Sequence, residues 1–356
     1  MQSRLDGLTG LRIFAALWVV LFHFRQVTPT GIFEYPLIDP IIKNGQYGVD
    51  LFFVLSGFIL SHVYFKVFEK KIAKADAWSF ISFRFARLYP VHLATFLIMV
   101  LLFVAEMLLT GRSSGQSERF TWQSVVTTLT LTQAWFPGIE SPNLPSWSIS
   151  AEWFAYLFFP LLCLLVALRR WAPIAMAVGG FGFGVLQSFY PSDLGRICAG
   201  FLIGMAAYHF CTRYHTSLNR LPFLGALATV LILLWAFMSS TPRLEVGLLL
   251  FGAVIVFLAN ERDWVTRMLS LRFLIYLGEV SYAVYMFHWV ARVIVRVSLE
   301  RVGIFDRLPS AFVVTTYVLA TLIGAVLLYH FVEKPGRKKL RRLASWSPAR
   351  RADAEH

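Results

Sequence analysis

The chain has 356 residues, 57% of them hydrophobic and 16% aromatic, and only 15% are charged. A soluble domain averages about 25% charged residues, so this composition, with a mean hydropathy of +0.63, excludes a soluble enzyme or binding module and indicates a helical integral membrane protein. The net charge of +13 is read first as membrane topology, because Lys and Arg gather in cytoplasmic loops, and not as a nucleic-acid surface.

The first apolar stretch, 9–27, contains LRIFAALWVVLFHFR (11–25). Arg12 and His23 are eleven residues apart, about three full helical turns, so they share a face and lie roughly 16 Å apart along the axis. No A-x-A-like cleavage site follows, so the segment is expected to be retained and not removed as a signal peptide. The second stretch, 46–66, opens with GVDLFFVLSGF (48–58) and puts Asp50 at its outer end, where it is expected to reach His23 and fix one imidazole tautomer. Ser56 and Gly57 lie farther in and suit close helix packing. A basic loop then leads to RFARLYP (84–90), at the mouth of the third stretch, 88–110. Arg84 and Arg87, at i and i+3, share a helix face and can clamp a phosphate-bearing ligand.

The Thr-rich segment TWQSVVTTLTLTQAWF (121–136) is too short to span and is expected to be re-entrant or interfacial. NLPSWSISAEWFAYLFFP (143–160) enters the next stretch, 147–168, with Ser148, Ser150 and Glu152, and with Tyr156 four residues after the acid. Stretches follow at 171–190, 194–212 (with Arg196 near its outer end), 222–240, 243–260, 273–297 and 309–332. The penultimate one carries GEVSYAVYMFHW (278–289), which places Tyr282, Tyr285 and His288 at i, i+3 and i+6. His288 rises roughly 24 Å from Arg272, level with His23 and Glu152.

The expectation is an all-α polytopic membrane protein: about ten transmembrane helices in one bundle. With the N-terminus inside, 23 of the 33 Lys and Arg residues fall in inner segments, which places both termini in the cytoplasm. Residues 1–335 form the membrane domain, and 336–356 form a basic cytoplasmic tail along the anionic inner leaflet. Cys163, Cys198 and Cys211 lack CxxC spacing and read as small buried hydrophobes, so no zinc or other metal site and no disulfide framework is expected.

Ionisable residues at membrane depth are costly and usually functional. Here the arginine pair faces the cytoplasm, while His23, Asp50, Glu152 and His288 are expected to gather in one outer layer, with Arg196 adding a cation. A ligand held at one level and reacting at the other needs an arm of roughly 15–20 Å. Coenzyme A, with phosphates at one end and a thioester at the other, has such an arm. The alternative is a proton-coupled transporter or flippase for an anionic or sugar substrate, although no strong internal repeat is present.

These motifs, in order, are Arg12-x10-His23, GVDLFFVLSGF, RFARLYP, SWSISAEWFAY, SYAVYMFH and a final FVEKP. Over about residues 4–335 the sequence resembles the acyltransferase-3 family of membrane O-acyltransferases, which modify exopolysaccharides, O-antigens, Nod factors and macrolides. The resemblance implies Arg12 and His23 as an essential pair, and Arg84 and Arg87 as the RxxR motif that grips acyl-CoA. Ser56, Glu152 and Tyr156 match further characteristic positions. It implies a bacterial inner-membrane enzyme that moves an acyl group, acetyl by family frequency, from cytosolic acyl-CoA to a hydroxyl of a glycan or lipid-linked saccharide. Acyl-CoA is then a substrate, no cofactor is permanently bound, and the partners are donor, acceptor and membrane lipids, with no nucleic acid. In that scheme His23, Asp50 and Glu152 are catalytic; Arg12, Arg84 and Arg87 bind the donor. Ser56, Ser148, Tyr156, Arg196, Tyr282, Tyr285 and His288 serve the acceptor or support the site. Two departures stand out: the SGNH hydrolase-like domain of many bacterial members is not found in these residues, and Trp153 and Phe154 follow Glu152 where a second acid or amide is frequent.

Overall fold

The computed structural model describes residues 5–26, 38–110, 117–169, 171–218, 224–238, 243–259 and 264–345. Parts of the expected outer loop 28–45, Arg4, Arg170, Arg220 and Arg262 of the charge ledger, and the tail beyond 345 lie outside these residues. The described chain is all helical. Its helices are α1 (Asp6–Arg25), α2 (Asp39–Lys43), α3 (Gly48–Phe68), α4 (Lys74–Thr110), α5 (Trp122–Thr130), α6 (Trp147–Ala167), α7 (Ala172–Leu186), α8 (Asp193–Leu218), α9 (Leu224–Met238), α10 (Leu244–Leu258), α11 (Trp264–Leu269), α12 (Arg272–Arg301), α13 (Ser310–Leu328) and α14 (Lys334–Ser345).

Among the described residues, six helical segments are long and apolar enough to cross a membrane: those beginning at Asp6, Gly45, Lys74, Leu144, Asp193 and Ser310. Three expected spans are described over 15 residues each, as α7, α9 and α10, a rise of about 22 Å against a hydrocarbon thickness of about 30 Å; the residues flanking α9 lie outside those described. α12 is long enough at 30 residues but carries Arg272, Glu279, Arg292, Arg296, Glu300 and Arg301 along its length. Large apolar side chains stand exposed on the outside, among them Leu101 and Leu108 of α4, Phe158 and Leu165 of α6, and Ile323 of α13. Lipid tails cover such a surface at no cost, whereas water does not. The chain is a multi-pass membrane protein.

α1 packs between α12 and α3, α3 packs on α8, and α8 also carries α7 and α10. The α3–α8 contact depends on small residues. A Cβ at Gly204 would lie 2.1 Å from the Val54 carbonyl oxygen, and one at Gly57 2.2 Å from that of Phe201. Both helices approach to backbone contact because neither has a side chain there. α13 packs on α12, passes through a π-helical turn at Tyr329–Glu333, and continues as α14. α14 returns to α4, with Gly336 against the ring of Pro90.

The Thr-rich segment forms α5, nine residues capped by Thr121, whose hydroxyl accepts the Ser124 N–H at 3.2 Å. It rises only about 14 Å, too little to span. Leu131 ends it in the left-handed region (φ 59°), and the Thr132 N–H returns to the Thr127 carbonyl at 2.8 Å. The chain after it is tied to the start of α6. Gln133 donates to the Ser146 carbonyl at 2.9 Å, the Ala134 N–H to Ser150 Oγ at 3.1 Å, and the Trp135 indole to the Ser150 carbonyl at 3.2 Å. The polar residues of this stretch thus satisfy backbone groups where the irregular segment meets the start of α6.

Candidate functional site

Two cavities meet inside the bundle. The larger, about 710 Å³, opens at the basic end, between α1, α4, α12 and α14, and is lined by Arg12, Arg87, Glu333, Arg337 and Arg341 among others. The smaller, about 210 Å³, continues between α1, α3, α4, α6 and α12, past Ser56, Arg84, Glu152 and Tyr282 to Ser148 and Tyr285. Thr9, Arg12 and Arg87 line both.

Arg84 and Arg87 are one helical turn apart on α4. Arg84 is buried, donates to the Tyr64 hydroxyl at 3.2 Å and lies 5.3 Å from that ring centre, while its Nε has no acceptor. All four ion pairs within 4 Å among the described residues (Arg25–Asp39, Arg119–Glu140, Arg196–Asp50 and Arg296–Glu300) lie at the opposite end of the bundle. Arg12, Arg87, Arg337 and Arg341 enter none of them. Their charges converge on the large cavity, which therefore complements a polyanion. Glu333 sits on the π-helical turn, 3% exposed, with Oε2 lacking a donor. Sequence reading passed over Glu333, Arg337 and Arg341 as binding residues. FVEKP already marked the acid at the end of an apolar run, but the arginines read as lipid-facing tail.

Glu152 does not join the histidine layer, contrary to the level expected for it. Its Oε1 accepts from Ser56 Oγ at 2.6 Å and from the Tyr156 hydroxyl. Ser56 on α3 and Tyr156 one turn along α6 draw the carboxylate into the smaller cavity, which it shares with Arg12, Arg84 and Arg87. Tyr282 donates to the Leu88 carbonyl of α4 at 2.6 Å, two residues before Pro90. At the far end Tyr285 and Ser148 are hydrogen-bonded at 2.8 Å, and the Tyr285 hydroxyl also reaches the Pro145 carbonyl at 2.9 Å. Asn143 locks this corner by donating to Thr95 Oγ1 and to the Met286 carbonyl, each at 3.1 Å.

One turn beyond Tyr285 lies a histidine pair. His288, fully buried, places Nδ1 2.5 Å from the Tyr285 carbonyl and Nε2 3.3 Å from His23 Nδ1. His23 Nδ1 is also 3.0 Å from the Val19 carbonyl. A carbonyl only accepts, so each Nδ1 carries the proton. The His23 proton is then shared between Val19 and the lone pair of His288 Nε2. This leaves Nε2 of His23, which is half-buried, as the unprotonated nitrogen.

Asp50 is not the partner of His23. Its carboxylate, fully buried, is held by Arg196 of α8 through Nε–H to Oδ1 at 3.1 Å and Nη2–H to Oδ2 at 2.5 Å. The face of α3 that carries Asp50 packs on α8 and not on α1, and a guanidinium fork satisfies both carboxylate oxygens at once. Arg196 also lies over the Trp147 ring, 5.1 Å from its centre. The pair clamps α3, α6 and α8 together.

A family model described as an acyltransferase domain, acyltransferase-3, matches residues 5–330. The chain belongs to the acyltransferase-3 family. It is 34% identical to the "Acyltransferase MdmB" of Streptomyces mycarofaciens over 204 residues, which cover 53% of this chain and 48% of the relative. It is 28% identical to the "Putative peptidoglycan O-acetyltransferase YrhL" of Bacillus subtilis over 369 residues, covering 94% of this chain and 55% of the relative. A Staphylococcus aureus protein, "Putative O-acetyltransferase SACOL0978", is 22% identical over 97% of this chain and 59% of its own length. The chain thus spans about half the length of the curated relatives it matches. No solved structure matches. Family membership favours acyl transfer over transport.

Proposed function

We propose that this chain is a membrane O-acyltransferase that moves an acyl group, most simply acetyl, from cytosolic acyl-CoA to a hydroxyl of a glycan or glycan precursor on the outer side of a bacterial inner membrane. The observation that carries this reading is the continuity of the site: the arginine-lined cavity joins, at Arg12 and Arg87, a narrower one that ends one helical turn from the His23–His288 pair.

The basic end faces the cytoplasm with both termini, residues 1–335 form the membrane domain, and the short apolar helices complete about ten crossings. The donor's phosphates lie against Arg84, Arg87, Arg337 and Arg341. Its pantetheine arm runs along α1 past Arg12 and Glu152, bringing the thioester toward His23, roughly 16 Å from Arg12. The acceptor hydroxyl attacks the thioester carbonyl while Nε2 of His23 takes its proton. The C–S bond breaks, an ester C–O bond forms, and the imidazolium returns the proton to the departing thiolate. His288 supports the step by accepting the His23 Nδ1 proton as a hydrogen bond, so that the developing imidazolium is stabilised. Tyr282, Tyr285 and Ser148 line the passage with hydroxyls whose protons are held by the protein and whose oxygens can still accept, and Asp50 with Arg196 holds the frame.

The test is acetyl transfer by the purified protein from labelled acetyl-CoA to surface glycans stripped of their esters. His23→Ala should lower kcat by at least about 100-fold, the usual scale for a general base, with expression and helical content intact. Wild-type turnover in that variant overturns the mechanism.

A further inference from the structure

The end of the bundle that carries the histidines contains a group of side chains that the transfer chemistry leaves unused. Trp289 and Arg292 follow His288 on α12, with Arg292 one turn beyond it on the same face. Arg292 stacks on Trp289, 4.1 Å from the ring centre, and Trp289 meets His23 edge-on at 5.7 Å. Tyr317 of α13 stacks on Phe24 at 4.9 Å, and Phe24 in turn contacts His288 at 6.3 Å. Arg292 lies close enough to His23, His288 and Tyr317 to interact electrostatically with each.

Three features of this group point to a ligand. Arg119, Arg196, Arg25 and Arg296 are each paired with a carboxylate, whereas Arg292, half-buried, has none within 4 Å among the described residues. Trp289 is 5% exposed and Tyr317 is fully buried, and among the described residues the Trp289 indole Nε1–H has no acceptor and the Tyr317 hydroxyl no partner. Buried donors of this kind are rarely left unmet in native proteins. The group therefore offers a cation, an N–H and an O–H, and the carboxylate nearest to it, Glu300, is already paired with Arg296. A neutral sugar presents hydroxyls that donate as well as accept; the Arg292 guanidinium and the Trp289 N–H only donate and the Tyr317 hydroxyl can donate beside them, a set that an anion matches best. The donor's phosphates do not reach it, since they are bound at the far end of α1 in the reading above.

We propose that Arg292, Trp289 and Tyr317 form an anion-recognition subsite beside the histidine pair, and that the acceptor is a saccharide with a carboxylate or phosphate close to the hydroxyl that is acylated. This rests on the acyltransferase reading and narrows its acceptor class. The anion meets the three donors, Arg292 anchors it, and the neighbouring hydroxyl is delivered to Nε2 of His23. An acceptor without the charge leaves buried donors unpaired, which is the strongest form of discrimination a site can build.

The experiment uses the full chain in lipid nanodiscs, labelled acetyl-CoA, and ester-stripped envelope glycans from the producing cells in three portions: untreated, carboxyl-reduced with carbodiimide and borohydride, and dephosphorylated with cold hydrogen fluoride. Incorporation should fall about tenfold or more in one treated portion, and which one identifies carboxylate or phosphate. Equal incorporation in all three overturns the subsite and leaves acyl transfer standing. No incorporation into any portion removes both readings. Arg292→Gln should raise the acceptor KM about tenfold and leave the acyl-CoA KM within about twofold, with Arg292→Lys recovering most of the loss. Trp289→Phe, which keeps the ring and loses only the N–H, should raise the acceptor KM several-fold. Wild-type kinetics in both Arg292→Gln and Trp289→Phe, or equal effects on both substrates, contradict the proposal.

Discussion

His23 and His288 show how little of a side chain's chemistry depends on its type alone. Two carbonyl oxygens, of Val19 and Tyr285, fix both protons on Nδ1, and the free nitrogen of His23 follows from that. The sequence revealed both histidines as costly residues at matching depth, but not that they touch, because spacing along one helix says nothing about rotation of the next. Asp50 is the opposite case. It was legible as a costly acid, and His23, at the same end of the preceding apolar stretch, was the natural partner. Its actual partner, Arg196, is 146 residues away, and only the packing of α3 on α8 selects it. Asp50→Asn should therefore act on stability before chemistry. Removing one partner of a buried ion pair costs about 3–5 kcal/mol, so the apparent melting temperature in detergent should drop markedly. The double variant Asp50→Asn/Arg196→Gln should recover part of that drop, and full stability in the single variant would show the pair to be dispensable.

Among elements, the junction of α3 with α8 carries the frame of the site. α3 presents Ser56 to Glu152 and Asp50 to Arg196, and both contacts require the backbone approach at Gly57 and Gly204. Gly204→Ala forces a methyl group against the Val54 carbonyl. Overpacking of this kind costs about 1–3 kcal/mol, and it should lower the melting temperature and the yield of folded protein, with activity per folded molecule falling as Glu152 loses Ser56. A variant as stable and active as wild type would mean the helices can part without consequence. The GVDLFFVLSGF motif made Gly57 readable as a packing residue. Gly204, inside an unremarkable apolar run, was not, since its role depends on the helix opposite. The apolar runs likewise overstated helix length at 171–190 and 243–260, because hydrophobicity reports the environment of a residue whether it is helical or in the adjoining turn.

Across the whole molecule, charge is sorted by end. The paired arginines sit with the histidines, and Arg12, Arg87, Arg337 and Arg341 crowd one cavity with no carboxylate within 4 Å of them among the described residues. The basic run after FVEKP was legible as charge at the inner surface. Its return onto α4 was not, because nothing in a run of Lys and Arg distinguishes a lipid headgroup from a protein-bound phosphate. If α14 holds the donor, Arg337→Ala and Arg341→Ala should each raise the acyl-CoA KM about tenfold with kcat little changed, as expected when uniform binding is lost. Donor affinity should also weaken between low and physiological salt as screening sets in. A KM indifferent to both substitutions and to salt would return α14 to the membrane surface.

The single turn of α12 between Tyr285 and His288 has an electrical consequence. On one side is a cavity continuous with the basic end; on the other is the His23–His288 pair. The wall between them consists of neutral, mutually hydrogen-bonded groups, the Ser148 and Tyr285 hydroxyls and the carbonyls of Pro145 and Tyr285. Such a wall insulates. In the proposed reaction the donor's phosphates stop at the arginines, what passes inward to outward is an uncharged acyl group, and the proton it displaces leaves with the thiol. If the proposed function holds, the exchange moves no net charge through the bundle, and acylation of the exterior leaves the membrane voltage intact.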